Sequence, residues 1–265
     1  TKLISLGREI ASRLAKNTND GKLFNRLFSK NLPVECLSNG ALQKVFEALK
    51  NVTTYPDQHT QVMTSGILRV GTTGDYAPFS YSGDNMSFTG IDIDLALNLA
   101  ESLNVELIFI KTSWPTLMND LAAGLFDIAM SGVSIIPARQ QHAYFSAPYH
   151  VGGKSPITLC SRVDEFSSIE GIDQASVRAI VNTGGTNERF IDAKLRRAKK
   201  ILHQDNRTIF NEIINGNADL MITDSIEVRL QINLHPELCE SMPGKTLTYQ
   251  EKGYMMSKDA ALRLS

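Results

Sequence analysis

The stretch GILRVGTTGDYAPFSY, residues 66–81, decides how this chain is read. Ile67 to Thr72 is a short apolar, β-rich run that breaks off into Thr73, Gly74, Asp75 and Tyr76. A run of that length, closed by a glycine and polar groups, predicts a buried strand. The period then changes, because Ile93, Leu95, Ala96, Leu99, Ala100 and Leu103 recur at helical spacing between Ile91 and Leu103, and Val105 to Ile110 reads as the next strand. A helix over Trp114 to Ala123 and strands at Asp127 to Met130 and Ser155 to Cys160 continue the rhythm. A second set follows: strand 179–181, helix 187–198, strand 200–202, helix 206–215 and strand 220–222. Strand and helix in alternation predict an α/β fold with a largely parallel sheet, and two successive sets predict two lobes. The expected division is lobe 1 over 66–156, with 246–265 returning to it, and lobe 2 over 157–245. Pro156 and the segment Gly253 to Ser257 are the expected crossing points.

Upstream, residues 1–60 read as a helical N-terminal extension. Leu3, Leu6, Ile10 and Leu14 recur at helical spacing, and further helices are expected over Lys22 to Ser29 and Ala41 to Lys50. Thr53 to Thr64 is polar and aperiodic, and reads as a linker or wrapped loop.

Composition removes several classes of function. With 27 Lys+Arg against 28 Asp+Glu in 265 residues, the net charge of −1 supplies no field for gathering nucleic acid. No run is long and apolar enough to span a membrane, and Arg8 and Glu9 stand where a secretory leader would be apolar. The three cysteines, Cys36, Cys160 and Cys239, lack metal-ligand spacing, and the histidines form no paired motif, so no metal site is expected. Neither a phosphate-binding GxxxxGK[ST] loop nor a GxSxG elbow occurs.

Open α/β sheets bind ligands beyond the carboxyl ends of their strands. Those positions are polar throughout: Thr72 to Tyr76, Thr112-Ser113-Trp114, Ser131-Gly132-Val133-Ser134, Asn182 to Asn187, and Thr223-Asp224-Ser225. Two lobes with such strand ends form a cleft for a small polar ligand. Thr186 or Asn187 reads as the cap of the following helix, whose free N–H groups would also suit a carboxylate. Glu227 follows Asp224 by three residues, so a helix opening at Asp224 puts both carboxylates on one face.

The stretches GDYAPFSY (74–81), FTGIDIDLALNLA (88–100), SWPTLMNDLAAGLFDIAMSGVSIIPARQQHAYFSAPY (113–149), GGTNERF (184–190) and ADLMITDSIEVRLQ (218–231) resemble the type II periplasmic solute-binding family in its amino-acid-binding branch. Within it the chain is similar to the cyclohexadienyl dehydratases, which convert prephenate to phenylpyruvate and arogenate to phenylalanine. The resemblance implies a cofactor-free carbon–oxygen lyase of the periplasm. It implies Glu227 as the general acid that protonates the departing hydroxyl, with Asp224 beside it. It implies Arg139 as the bidentate partner of a substrate carboxylate, helped by donors on Ser131, Gly132 and Ser134. Trp114 and Tyr76 would wall the ring, Asp75 would orient a polar group or latch the lobes, and Thr186 and Asn187 would face a second carboxylate. Lys154 is either a further carboxylate partner or hinge surface. Burial and the charge of Asp224 should raise the pKa of Glu227 above its ordinary value. Cys160 and Cys239 fall in matching stretches and would form a disulfide. The alternative reading is a non-catalytic amino-acid-binding protein of an ABC transporter, in which an acid at position 227 has no task.

Two features depart from the resemblance. The chain stops at KDAALRLS, where the family continues through terminal helices, and it begins with the helical extension. Residues 1–32 are expected to take the place of those helices, from the same or a neighbouring chain. A homo-oligomer stays open.

Overall fold

The structure, a computed structural model, describes residues 57–83, 87–259 and 261–262. The helices expected within 1–50, Cys36 and the role expected of residues 1–32 lie outside the described residues. The helix Gln58–Ser65 is described by itself and replaces part of the expected linker. Its signal is Asp57, whose carboxylate accepts the Thr60 N–H at 2.6 Å, an N-cap that the aperiodic sequence did not bring out.

From residue 66 the described residues form fifteen strands. The first lobe holds β1 (Ile67–Thr72), β2 (Asp75–Tyr76), β3 (Ser80–Ser82), β4 (Phe88–Thr89), β5 (Glu106–Lys111), β6 (Ile128–Ala129) and β7 (Tyr144–Phe145). Next come β8 (His150–Gly152), β9 (Lys154–Leu159), β10 (Arg178–Asn182), β11 (Lys199–His203), β12 (Leu220–Asp224) and β13 (Leu238–Glu240), followed by β14 (Gln250–Lys252) and β15 (Met255–Met256). The first sheet has the order β5-β1-β6-β15-β7, and the second β11-β10-β12-β9-β13. In each sheet the first three strands of that order pair in parallel and the last two join by antiparallel pairing. A small antiparallel sheet, β2-β3-β4, carries Asp75 and Tyr76.

The chain crosses between the sheets twice, and the crossings pair with each other: β8 and β14 form an antiparallel ribbon with Val151 opposite Glu251. This corrects the expected boundary. Pro156 is no crossing point; it lies inside β9 opposite Ile222, so the first passage is at Gly152 and Gly153 and all of β9 belongs to the second sheet. Proline is tolerated there because the antiparallel ladder leaves some strand N–H groups unpaired.

Both faces of the second sheet are covered, which explains its continuous apolar strands. Ala179, Val181, Leu220 and Ile222 pack with Phe166, Ile172, Phe190 and Ile191 on one face. Ile180 and Met221, pointing the other way, pack with Ile157, Ile209, Phe210, Ile213 and Val228. In the first lobe Leu117, Leu121, Phe126, Ala129, Val133, Phe145 and Met255 form the equivalent core. Each fully buried side chain of this kind contributes roughly 1.5–3 kcal/mol, and together they hold the strand ends rigid where the polar residues emerge.

The helix expected over 187–198 runs only Thr186–Lys194. Asp173 ends it, because its Oδ1 accepts the N–H groups of Arg196, Arg197 and Ala198 at 2.9, 2.6 and 2.9 Å, pulling the chain away from the helical path. The segment from Cys160 to Phe166 is a 3₁₀ helix, and Cys160 is joined to Cys239 by a disulfide.

Candidate functional site

The ends of β1, β6, β10 and β12 meet at one cleft between the lobes. From the first lobe Tyr76, Trp114, Gly132, Ser134 and Arg139 line it; from the second, Asn182, Gly185, Thr186, Asn187, Asn206 and Asp224 do, and Lys252 joins from the returning strand.

At its floor Asp224 ends β12 between two ammonium groups, Lys154 Nζ at 2.6 Å from Oδ1 and Lys252 Nζ at 2.7 Å from Oδ2. The Tyr76 hydroxyl donates to Oδ2 from the opposite lobe. Lys154 is fully buried and also donates to Thr186 Oγ1 at 2.9 Å and to Asn187 Oδ1, so its three hydrogens are matched by three acceptors. Lys252 donates in addition to Gly132 O at 2.9 Å and lies 4.8 Å from the Tyr76 ring centroid. Burial alone would raise the Asp224 pKa, but the two lysines outweigh it and hold the carboxyl well below the ordinary range. Each Asp224 oxygen is therefore already bonded to an ammonium group of the protein. Lys252 carried no sequence signal; only its place on the second crossing strand brings it here.

Glu227 lies one turn into the helix Ser225–Leu234 and is 2% exposed. Thr223 Oγ1 donates to its Oε2 at 2.5 Å and Asn206 Nδ2 to its Oε1 at 3.1 Å. Burial pushes its pKa up to about 8, the charge of Asp224 adds to the rise, and the two donors only partly oppose it. It sits beside the cleft lining, joined to it through Asn206.

Arg139 is likewise buried, 5% exposed, on the short helix Pro137–Gln140. Its Nη1 donates to Ser134 O at 3.0 Å, its guanidinium carbon lies 5.9 Å from the Trp114 ring centroid, and it forms no ion pair among the described residues. Burial and nearby Arg189 bring its pKa down to about 10, so it stays charged at neutral pH. A buried cation without an ion-pair partner is costly to keep, so this guanidinium is suited to an anionic ligand.

Other expected donors are placed differently. Ser131 does not line the cleft, because its Oγ accepts the Thr73 N–H at 3.1 Å and pairs with Thr73 Oγ1 at 2.8 Å. The Gly132 N–H donates to Asp92 Oδ2 at 2.5 Å, which leaves no anion nest of the expected kind. Gly132 itself is required: its φ is +63°, and a Cβ there would lie 2.6 Å from the Tyr76 ring. Neither Thr186 nor Asn187 caps the helix; Gly185 holds that position, and both side chains bind Lys154 instead. Glu188 accepts the Gly184 N–H at 2.7 Å. Asp75 receives the Trp114 Nε1–H at 3.0 Å, which sets the indole against the cleft.

The lobes are closed on each other. Asn206 Nδ2 donates to Asp75 O at 2.9 Å and Arg207 Nη1 to Ser82 O at 3.1 Å. At Gly184, with φ +79°, a Cβ would stand 2.8 Å from the Pro115 nitrogen of the opposite lobe.

The model of the bacterial extracellular solute-binding proteins, family 3, matches residues 68–216. A cyclohexadienyl dehydratase of Pseudomonas aeruginosa is 53% identical over 203 residues, 77% of this chain and 76% of that protein. The L-cystine-binding protein TcyJ of Escherichia coli is 24% identical over 221 residues, 83% and 82% of the two chains. The crystal structure of the ancestral amino acid-binding protein AncCDT-1, a precursor of cyclohexadienyl dehydratase, superposes with a TM-score of 0.72 at 33% identity, covering 78% of this chain and 89% of that one. Holo ArgBP from T. maritima gives 0.68 at 25% identity, covering 75% and 85%.

Proposed function

The chain belongs to the bacterial extracellular solute-binding proteins, family 3, and from that membership we propose that it is a cyclohexadienyl dehydratase, turning prephenate into phenylpyruvate and arogenate into phenylalanine. The observation that carries the reading is the acid Glu227, buried beside the cleft and joined to its lining through Asn206, where burial and the charge of Asp224 raise its pKa to about 8. In the reaction the bond from the ring to the carboxylate breaks and releases carbon dioxide. Its electron pair completes the aromatic ring, and the hydroxyl at the far ring position leaves with its bonding pair. Hydroxide is a poor leaving group, so the proton of Glu227 passes to that oxygen and water departs. A positioned general acid contributes about a hundredfold to ten-thousandfold.

The cleft suits the substrate's charge. Arg139 forms no ion pair among the described residues, and Lys154 and Lys252 share the Asp224 carboxylate, so the cleft carries a surplus of cations that suits the carboxylates of prephenate. Arg139 takes one carboxylate, and the helix end at Gly185, Thr186 and Asn187 takes the other; Trp114 and Tyr76 flank the ring. The amino-acid-binder reading calls for an acidic group open to an ammonium ion, and Asp224 is already occupied. The disulfide and the family's extracellular character favour the periplasm. The test is the absorbance of phenylpyruvate after adding prephenate to the purified chain. Turnover is expected; binding of amino acids without turnover would return the protein to the transporter class.

A further inference from the structure

Resting on the assignment of Glu227 as the acid, we propose that Asn206 is a positioning residue that holds Glu227 in its proton-donating arrangement only while the two lobes are closed. Asn206 stands shortly after β11, is 3% exposed and lines the cleft. Its Nδ2 donates one hydrogen across the cleft to the backbone carbonyl of Asp75 at 2.9 Å and the other to Glu227 Oε1 at 3.1 Å. Both amide hydrogens are thereby used. The carbonyl of Asp75 can only accept, so it selects the nitrogen of the amide and not its oxygen. With the lobes apart that constraint is gone, and the amide can turn its oxygen toward the protonated acid instead.

Closure thus fixes a donor on Glu227. A donor at a carboxyl favours the charged form, so it stabilises the carboxylate left behind when the proton departs. Meanwhile Oδ1 of Asn206 is buried and has no partner among the described residues. In this arrangement the leaving hydroxyl would donate its hydrogen to Oδ1 while its oxygen takes the proton of Glu227. Burial alone would make Glu227 a holder of protons; the amide, set by the other lobe, makes it a donor.

Asn206→Asp keeps the shape and replaces the amide donor, and Asn206→Ala removes the side chain. In both, kcat with prephenate is expected to fall at least about tenfold, the scale of one lost hydrogen bond to a charged group. The pH at which kcat/KM declines should also move upward, a change that general loosening of the site does not produce. A third measurement needs no change at Asn206: its side-chain amide resonances in the unaltered protein should titrate with Glu227 near pH 8, and should not in Glu227→Gln. If that pH stays fixed in both variants, or the amide signal is blind to Glu227, the coupling is overturned and the acid assignment stands. A wild-type protein inactive on prephenate overturns the assignment beneath it.

Discussion

Asp224 and Glu227 stand three residues apart where β12 runs into its helix, and their carboxyl groups hold opposite charge states. Both are buried, and burial pushes both upward. Asp224 is answered by two ammonium groups that hold its pKa down, whereas Glu227 is hydrogen-bonded by the neutral donors Thr223 and Asn206, which with the more distant charge of Lys154 only partly offset its burial, and its pKa rises to about 8. The lysines decide which carboxyl is the anchor and which the acid.

That division predicts a pH profile. The folded-state pKa of Glu227, about 8, lies above its ordinary 4.5, so kcat/KM should decline as pH rises through about 8. The stability this group contributes is fully present below the lower value and lost as pH rises through the upper one. Glu227→Gln should lower kcat by at least about a hundredfold and flatten the fall in Tm across the same window. Near-normal turnover in that variant would move the acid role elsewhere.

At Arg139 a lysine would keep the charge and lose the planar pair of donors. Arg139→Lys should raise KM for prephenate by about 10- to 100-fold, with a smaller change in kcat. An unchanged KM would show that the buried guanidinium does not meet the substrate.

The charge of the cleft predicts a substrate order. Arogenate carries an ammonium group where prephenate has a ketone, and the carboxylate that would receive it is held by Lys154 and Lys252. Placing like charges together costs several kcal/mol, so kcat/KM for prephenate should exceed that for arogenate by at least about tenfold. Equal values, measured side by side, would mean that Asp224 releases a lysine when arogenate binds.

The Cys160–Cys239 disulfide ties the end of β9 to β13 across a separation of 79 residues. Closing a loop of that size removes roughly 4 kcal/mol worth of unfolded-chain freedom. Replacing both cysteines by serine should lower unfolding stability by an amount of that order in denaturant titrations; an unchanged midpoint would deny the bridge a stabilising role.

The alternation of short apolar runs and helical repeats was legible because one force, burial of one face, writes both periods. Trp114 and Asp224 stand at strand ends, where the sheet must present its ligand groups, and the spacing of Glu227 from Asp224 is helical; the roles expected of Arg139 and Glu227 came from the family resemblance. Lys252 and Asn206 were missed, since what brings them to the cleft is the second crossing and the closure of the lobes, which leave no local pattern. Ser131 misled for the converse reason: it sits at a strand end, but strand alternation turns it inward to Thr73. The stop at Lys194 was invisible because Asp173, which causes it, is 21 residues upstream in the chain.

Tyr76, Asp75, Ser82 and Pro115 each meet a residue of the other lobe, and that seal has a consequence for timing. With Glu227 in the acid role proposed above, the carboxylate left after proton transfer is buried while the lobes are closed, so reopening would also be its recharging stroke, one proton for each turnover. The pace of turnover would then be bounded by how often the ribbon of β8 and β14 lets the lobes part, however fast the ring aromatises inside.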